Sequence, residues 1–171
     1  MLLAGVLLGG CGVGAGRGEA VTFPPQSFGA GGSPTPAMLQ ARTAVSSALG
    51  AVGVLLDDAQ ASYRPAESPR LAAAPRTVVR AVLPEDPSRG LISIYGFIDA
   101  ASAAEAAGEQ AAYIANPVGR VQFPTGTQFT IRQFGSTVIF FSEVPDSSPD
   151  DQAPDIVQAL RTVGAEVVVP G

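Results

Sequence analysis

The stretch "EVPDSSPDDQAPD" carries five carboxylates, Glu143, Asp146, Asp150, Asp151 and Asp155, with no arginine among them. Hard cations such as Ca²⁺ are held by several convergent oxygens, so Asp146, Asp150, Asp151 and Asp155 are the candidate metal ligands. The twelve-residue calcium loop, with its central glycine and terminal glutamate, is absent. An acid-rich loop that leads into a helix is explained as well by solvated side chains near the positive end of the helix dipole. That reading is the expected one, with no metal bound. Two carboxylates can also share acid and base roles in a hydrolase, but no spacing here singles out a pair.

Other chemistries fall away by residue type. The chain has no His and no Lys, and its only cysteine is Cys11. Imidazole general-base catalysis and Ser-His or Cys-His pairs are therefore impossible. A Schiff base, a Ser-Lys dyad and a phosphate-loop lysine are excluded as well. One sulfur cannot build a zinc, haem or iron–sulfur site, nor an internal disulfide. No cofactor and no catalytic residue is expected.

Cys11 itself lies in "MLLAGVLLGGCGVGAG". Gly10, Gly12 and Ala15 match a dinucleotide-binding G-x-G-x-x-A, but that motif must open a helix. The following "GRGEAVTFPPQSFGAGGSPTP" is too rich in Gly and Pro to do so. A membrane-spanning helix needs about 20 apolar residues, and Arg17 and the glycines cut this run short. Leu8-Gly9-Gly10-Cys11 resembles the bacterial lipobox, in which a signal peptide is cleaved before a cysteine whose sulfur carries diacylglycerol. The resemblance covers only the first dozen residues. It implies a signal peptide over 1–10, lipid attachment at Cys11 and an extracytoplasmic, membrane-tethered address in the cell envelope. No Lys or Arg precedes Arg17 and the apolar stretch is short, so the natural start is expected upstream of Met1.

Charge narrows the partners. A net charge of -5 argues against nucleic acid, whose phosphates require clustered cations, and against electrostatic adhesion to anionic lipid. Membrane attachment would then come from the acyl chains. Arg64, Arg70, Arg76, Arg80 and Arg89 crowd the middle of the chain among Glu67, Glu85 and Asp86. Ordinary interspersed surface charge accounts for them; the sharper reading is an arginine-lined surface for an acidic partner or a second copy.

The elements that must position these groups follow from pattern. Residues 11–35 form a Gly- and Pro-rich linker that spans about 27 Å root-mean-square by the flexible-chain rule. A single domain is expected over 36–171. Thr35 and Pro36 suit the start of a helix, and Ala41, Val45, Leu49, Val52, Leu56 and Ala59 give it an apolar stripe to about Ser62. Arg76–Leu83 reads as an edge strand. From Gly90 onward the order is strand, helix capped by Asp99, strand, strand, helix, strand. Gly135-Ser136 suits a type II′ hairpin that puts Phe129, Ile131, Val138 and Phe140 on one buried face. Asp150 or Asp151 is expected to cap the last helix, which Gly164 ends. This order predicts an α+β, ferredoxin-like split βαβ sheet with two helices on one face. The long N-terminal helix would cover the other face, with Arg76–Leu83 added at an edge.

Function is expected to be non-enzymatic: a lipid-tethered binding or accessory domain for an envelope protein or small ligand. The alternative is a surface hydrolase that uses carboxylates or a bound cation.

Overall fold

A computed structural model describes residues 33–59 and 63–170. The signal peptide, Cys11 and most of the linker expected from sequence lie outside the described residues. Among the described residues no helix is long and apolar enough to cross a membrane.

Helix α1 (Pro36–Ala51) opens as expected, with the Thr35 hydroxyl accepting from the Met38 N–H at 3.3 Å. It stops at Ala51 rather than near Ser62. Gly53 takes φ +83°, a left-handed conformation that glycine reaches without strain and that ends helices. The chain then returns as a short strand, β1 (Leu56–Asp58), before the segment that leads to α2 (Pro69–Ala73). Strand β2 (Arg76–Ala81) is therefore not an edge: β1 pairs outside it, and its other side pairs with β3 (Leu91–Gly96). Two adjacent aspartates, Asp57 and Asp58, sit on the outermost strand, where charge discourages further pairing.

Asp99 caps α3 (Ala100–Ala115) through the Ser102 N–H at 2.7 Å. A single turn, α4 (Pro117–Arg120), follows. Then come β4 (Gln128–Phe134), β5 (Thr137–Glu143), α5 (Ala153–Arg161) and β6 (Ala165–Glu166). Gly135 has φ +56° while Ser136 stays at negative φ, the pattern of a type II′ turn. The turn sets Ile131 opposite Phe140 and Gln133 opposite Val138, so Ile131, Val138 and Phe140 are buried together with Phe129 packed against them.

The six strands form one antiparallel α+β sheet in the order β1-β2-β3-β5-β4-β6. The split unit β3-α3-β4, with β5 between its strands, is present. The rest departs from the ferredoxin-like expectation in two linked ways. In that arrangement the last strand would return to the free side of β3, but β2 already fills it. Strand β6 instead pairs with β4 at the far edge. The second difference concerns the helices. Crossovers β3-α3-β4 and β5-α5-β6 each step over one strand toward the same edge, yet β3 and β5 run in opposite directions. Crossovers of one hand must then pass on opposite faces. Helix α5 accordingly packs with α1 over Val79, Ile92, Ile94, Ile139 and Phe141. Helix α3 covers the other face, over Tyr95, Ile131, Val138 and Phe140. The result is three layers, helix–sheet–helix.

Both helical layers are held by buried polar anchors. Arg132 is 5% exposed, and its guanidinium donates to the carbonyls of Arg161, Val163 and Gly164 at 2.7–2.8 Å. A cation at the carbonyl end of α5 satisfies groups the helix leaves open, and it pins the turn into β6. Gly164 sits there at φ +61°; a Cβ would lie 2.1 Å from the Gln133 carbonyl oxygen.

On the other face the side chain of Glu67 is 3% exposed and meets Arg64 at 2.7 Å and Arg76 at 2.5 Å. It also accepts from the Tyr95 hydroxyl at 2.7 Å. Burial, then the Glu67 carboxylate, push the Tyr95 phenol well above its usual range, so it stays a neutral donor. Gln110, buried on α3, binds the Ser68 N–H and the Ala66 carbonyl. These contacts fasten the proline-punctuated segment across the sheet.

Candidate functional site

A cleft opens at one end of the sheet, where β5 ends, β3 and β4 begin and α5 starts. Its volume is about 680 Å³, within the usual range for small-molecule pockets of about 300–1,000 Å³. Leu83, Phe141 and Ile156, all core residues, form its apolar depth. The loops 84–90 and 144–152 make its rim. They are tied together twice: Arg89 donates to the Ser147 hydroxyl at 2.6 Å, and the Glu85 N–H donates to Asp150 at 2.9 Å. Ser147 in turn donates to the Val144 carbonyl. Asp146, at φ +57°, makes the sharp bend of the second loop, a conformation that Asp tolerates better than most residues.

The acidic stretch singled out by sequence is thus brought to the cleft, but unevenly. Asp150 is buried and both carboxylate oxygens are engaged, with Glu85 N–H and with the Gln152 N–H at 3.0 Å. It fixes the entrance to α5 from two residues ahead, while Gln152 holds the cap position without a side-chain bond. Asp146 and Asp151 line the cleft. Asp155 does not; it lies in the first turn of α5, where the helix dipole favours negative charge. Among the described residues no group of three or more His, Cys, Asp or Glu side chains is placed to hold a metal ion.

Glu143 differs from its neighbours. It ends β5 half-buried, and among the described residues its carboxylate takes no hydrogen bond or ion pair. Burial raises its carboxyl above the usual range; Arg89 opposes the shift and Asp146 adds to it. Arg89 is itself occupied, with Nε 3.1 Å from Asp86 and Nη1 on Ser147. A second, smaller hollow of about 320 Å³ shares Tyr63, Arg89, Ser142, Glu143 and Val144 with the first, so Glu143 stands between the two.

The five crowded arginines do not make a free cationic surface. Arg64 and Arg76 meet Glu67, and Arg70 meets Glu105 and Glu109 at 2.8 and 3.2 Å. Arg80 lies 3.7 Å from Asp57, and Arg89 meets Asp86. The Glu109 carboxyl is held below its ordinary range, first by the Arg70 N–H. Each of the five thus has a carboxylate partner among the described residues.

Sequence reasoning did not find Arg89 or the apolar floor as parts of one site. Loop 84–90 and loop 144–152 are far apart along the chain, and only the β2-β3-β5 pairing brings them together. Comparison with protein-family models, with curated proteins and with solved structures finds no match.

Proposed function

We propose that this protein is a lipid-anchored, non-enzymatic binding domain of the cell envelope that takes a small ligand in the cleft at the Glu143 end of the sheet. The observation that carries the proposal is the cleft itself: an apolar depth of Leu83, Phe141 and Ile156 with a few polar groups converging at its mouth, the usual build of a small-molecule site. The anchored address rests on the lipobox-like Leu8-Gly9-Gly10-Cys11.

One further feature supports combining the two. The described chain enters at the opposite end of the sheet, where Thr35 and Met38 lie beside Gly96 and the 135–136 turn is close by. Strand β5 separates the ends by about 23 Å at strand rise. A tether joined on that side does not obstruct the cleft.

A second reading, a carboxylate hydrolase, draws on the raised carboxyl of Glu143 with Asp146 near it in a cleft, an arrangement common at catalytic sites. It requires a turnover that Glu143→Ala abolishes while far-ultraviolet circular dichroism stays unchanged.

Native mass spectrometry of the chain extracted from membranes of its own cell tests the favoured reading. The expected spectrum shows a mature chain beginning at diacylated Cys11 with a bound small molecule. A Val157→Trp variant, which places an indole on the α5 wall of the cleft, should lose that molecule. A soluble chain that retains Met1 would contradict the address. A membrane form with no bound species, or one unaffected by Val157→Trp, would contradict the cleft.

A further inference from the structure

The charges around the cleft narrow what it can accept. Four carboxylates, Glu143, Asp146, Asp150 and Asp151, and two guanidiniums, Arg89 and Arg161, line it. Two of these six are already used. Asp150 holds two backbone N–H groups, and Arg89 bridges Asp86 and Ser147. What remains for a ligand is Glu143, Asp146 and Asp151 against Arg161 alone. Glu143 matters most, because it is half-buried beside Phe141 and has no partner among the described residues.

An ionised carboxylate drawn partly out of water without a bonded counter-ion is unfavourable, and an incoming cation relieves it. An anionic ligand would instead meet three uncommitted carboxylates and a single uncommitted guanidinium, that of Arg161. The apolar depth of Leu83, Phe141 and Ile156 calls for hydrocarbon on the same molecule.

Resting on the cleft reading above, we propose that the ligand is a small organic cation, an apolar chain or ring ending in an amine or guanidinium. The cationic group pairs with Glu143 at the mouth. The hydrocarbon body lies against Phe141 and Ile156.

Hexylamine, hexanol and hexanoate share one hydrocarbon length and differ in charge. Each is titrated into the ¹⁵N-labelled full chain near neutral pH, with amide shifts as the readout. The expected result is hexylamine at least tenfold tighter than either analogue, with shifts centred on residues 141–144 and 156–157. Glu143→Gln, a same-size change checked by circular dichroism, should erase the preference. Val157→Trp, on the α5 wall of the cleft, should weaken all three. Hexanol equal to hexylamine, or a preference that survives Glu143→Gln, overturns the cationic class but leaves the cleft standing. Tighter hexanoate overturns it in favour of an anion. If none of the three moves the cleft amides, or Val157→Trp changes nothing, the cleft reading fails with it.

Discussion

Arg132 offers the most quantitative test of what holds the α5–β6 turn in place. Its guanidinium donates to three carbonyls at the end of α5 and so fixes where β6 begins. Each such bond from a charged donor contributes about 1.5–3 kcal/mol, but burying the guanidinium offsets much of the sum. Removing one side of a buried ionic arrangement costs about 3–5 kcal/mol in measured cases.

Arg132→Met, of similar length and no charge, should therefore lose about 3–4 kcal/mol. That is a large share of the about 5–15 kcal/mol that a domain possesses. At about 2–4 °C per kcal/mol for this size, Tm should fall by about 10 °C. Arg132→Lys keeps the charge without the fork and should lose roughly half as much. Glu166→Gln removes only a 3.7 Å contact to a carboxylate that is 66% exposed, and should change stability by less than about 0.5 kcal/mol. Urea unfolding followed by far-ultraviolet circular dichroism measures all three. If Arg132→Met unfolds within about 0.5 kcal/mol of wild type with an unchanged m-value, the guanidinium does not hold the α5–β6 turn.

Glu67→Gln leaves Arg64 and Arg76 without their buried counter-charge and should cost about 2–4 kcal/mol in the same unfolding assay. Two glycines should respond in opposite directions to alanine. Gly164→Ala meets the Gln133 carbonyl at positive φ and should lose about 2 kcal/mol or more. Gly108→Ala, exposed in α3 with open space around its Cβ position, should gain about 0.5–1 kcal/mol.

Glu143 sets two opposed pH dependences. Its carboxyl is raised in the folded state, so its contribution is favourable below the unfolded value and is lost as pH rises through the folded one. Glu143→Gln should remove that loss, seen as a flatter plot of Tm against pH above the ordinary carboxyl range. Hexylamine binding should run the other way and weaken as falling pH protonates Glu143.

The sequence carried those features that depend on neighbours along the chain. The II′ turn at Gly135-Ser136, the Asp99 cap and the shared face of Ile131, Val138 and Phe140 are all decided within a few residues. The long-range choices were not legible in the same way. Nothing local to Arg76–Ala81 says that it takes the place beside β3, yet that occupancy sends β6 to the other edge and α5 to the other face. Apolar periodicity also passes over Glu67, Gln110 and Arg132, because a buried polar residue looks like a surface one until its partner is known. The acidic loop was visible as a candidate site. Its division into a committed Asp150 and an unpartnered Glu143 depends on loop 84–90, which only the folded sheet brings near.

The most direct test of the ligand cleft is the set of nuclear Overhauser contacts between hexylamine protons and the methyl groups of the full chain. Contacts from the alkyl chain to the Leu83 and Ile156 methyls, lost in Val157→Trp, are the predicted result. Contacts confined to the exposed Ile98, Val118 or Val121 would contradict it, and so would the absence of any contact at saturating amine.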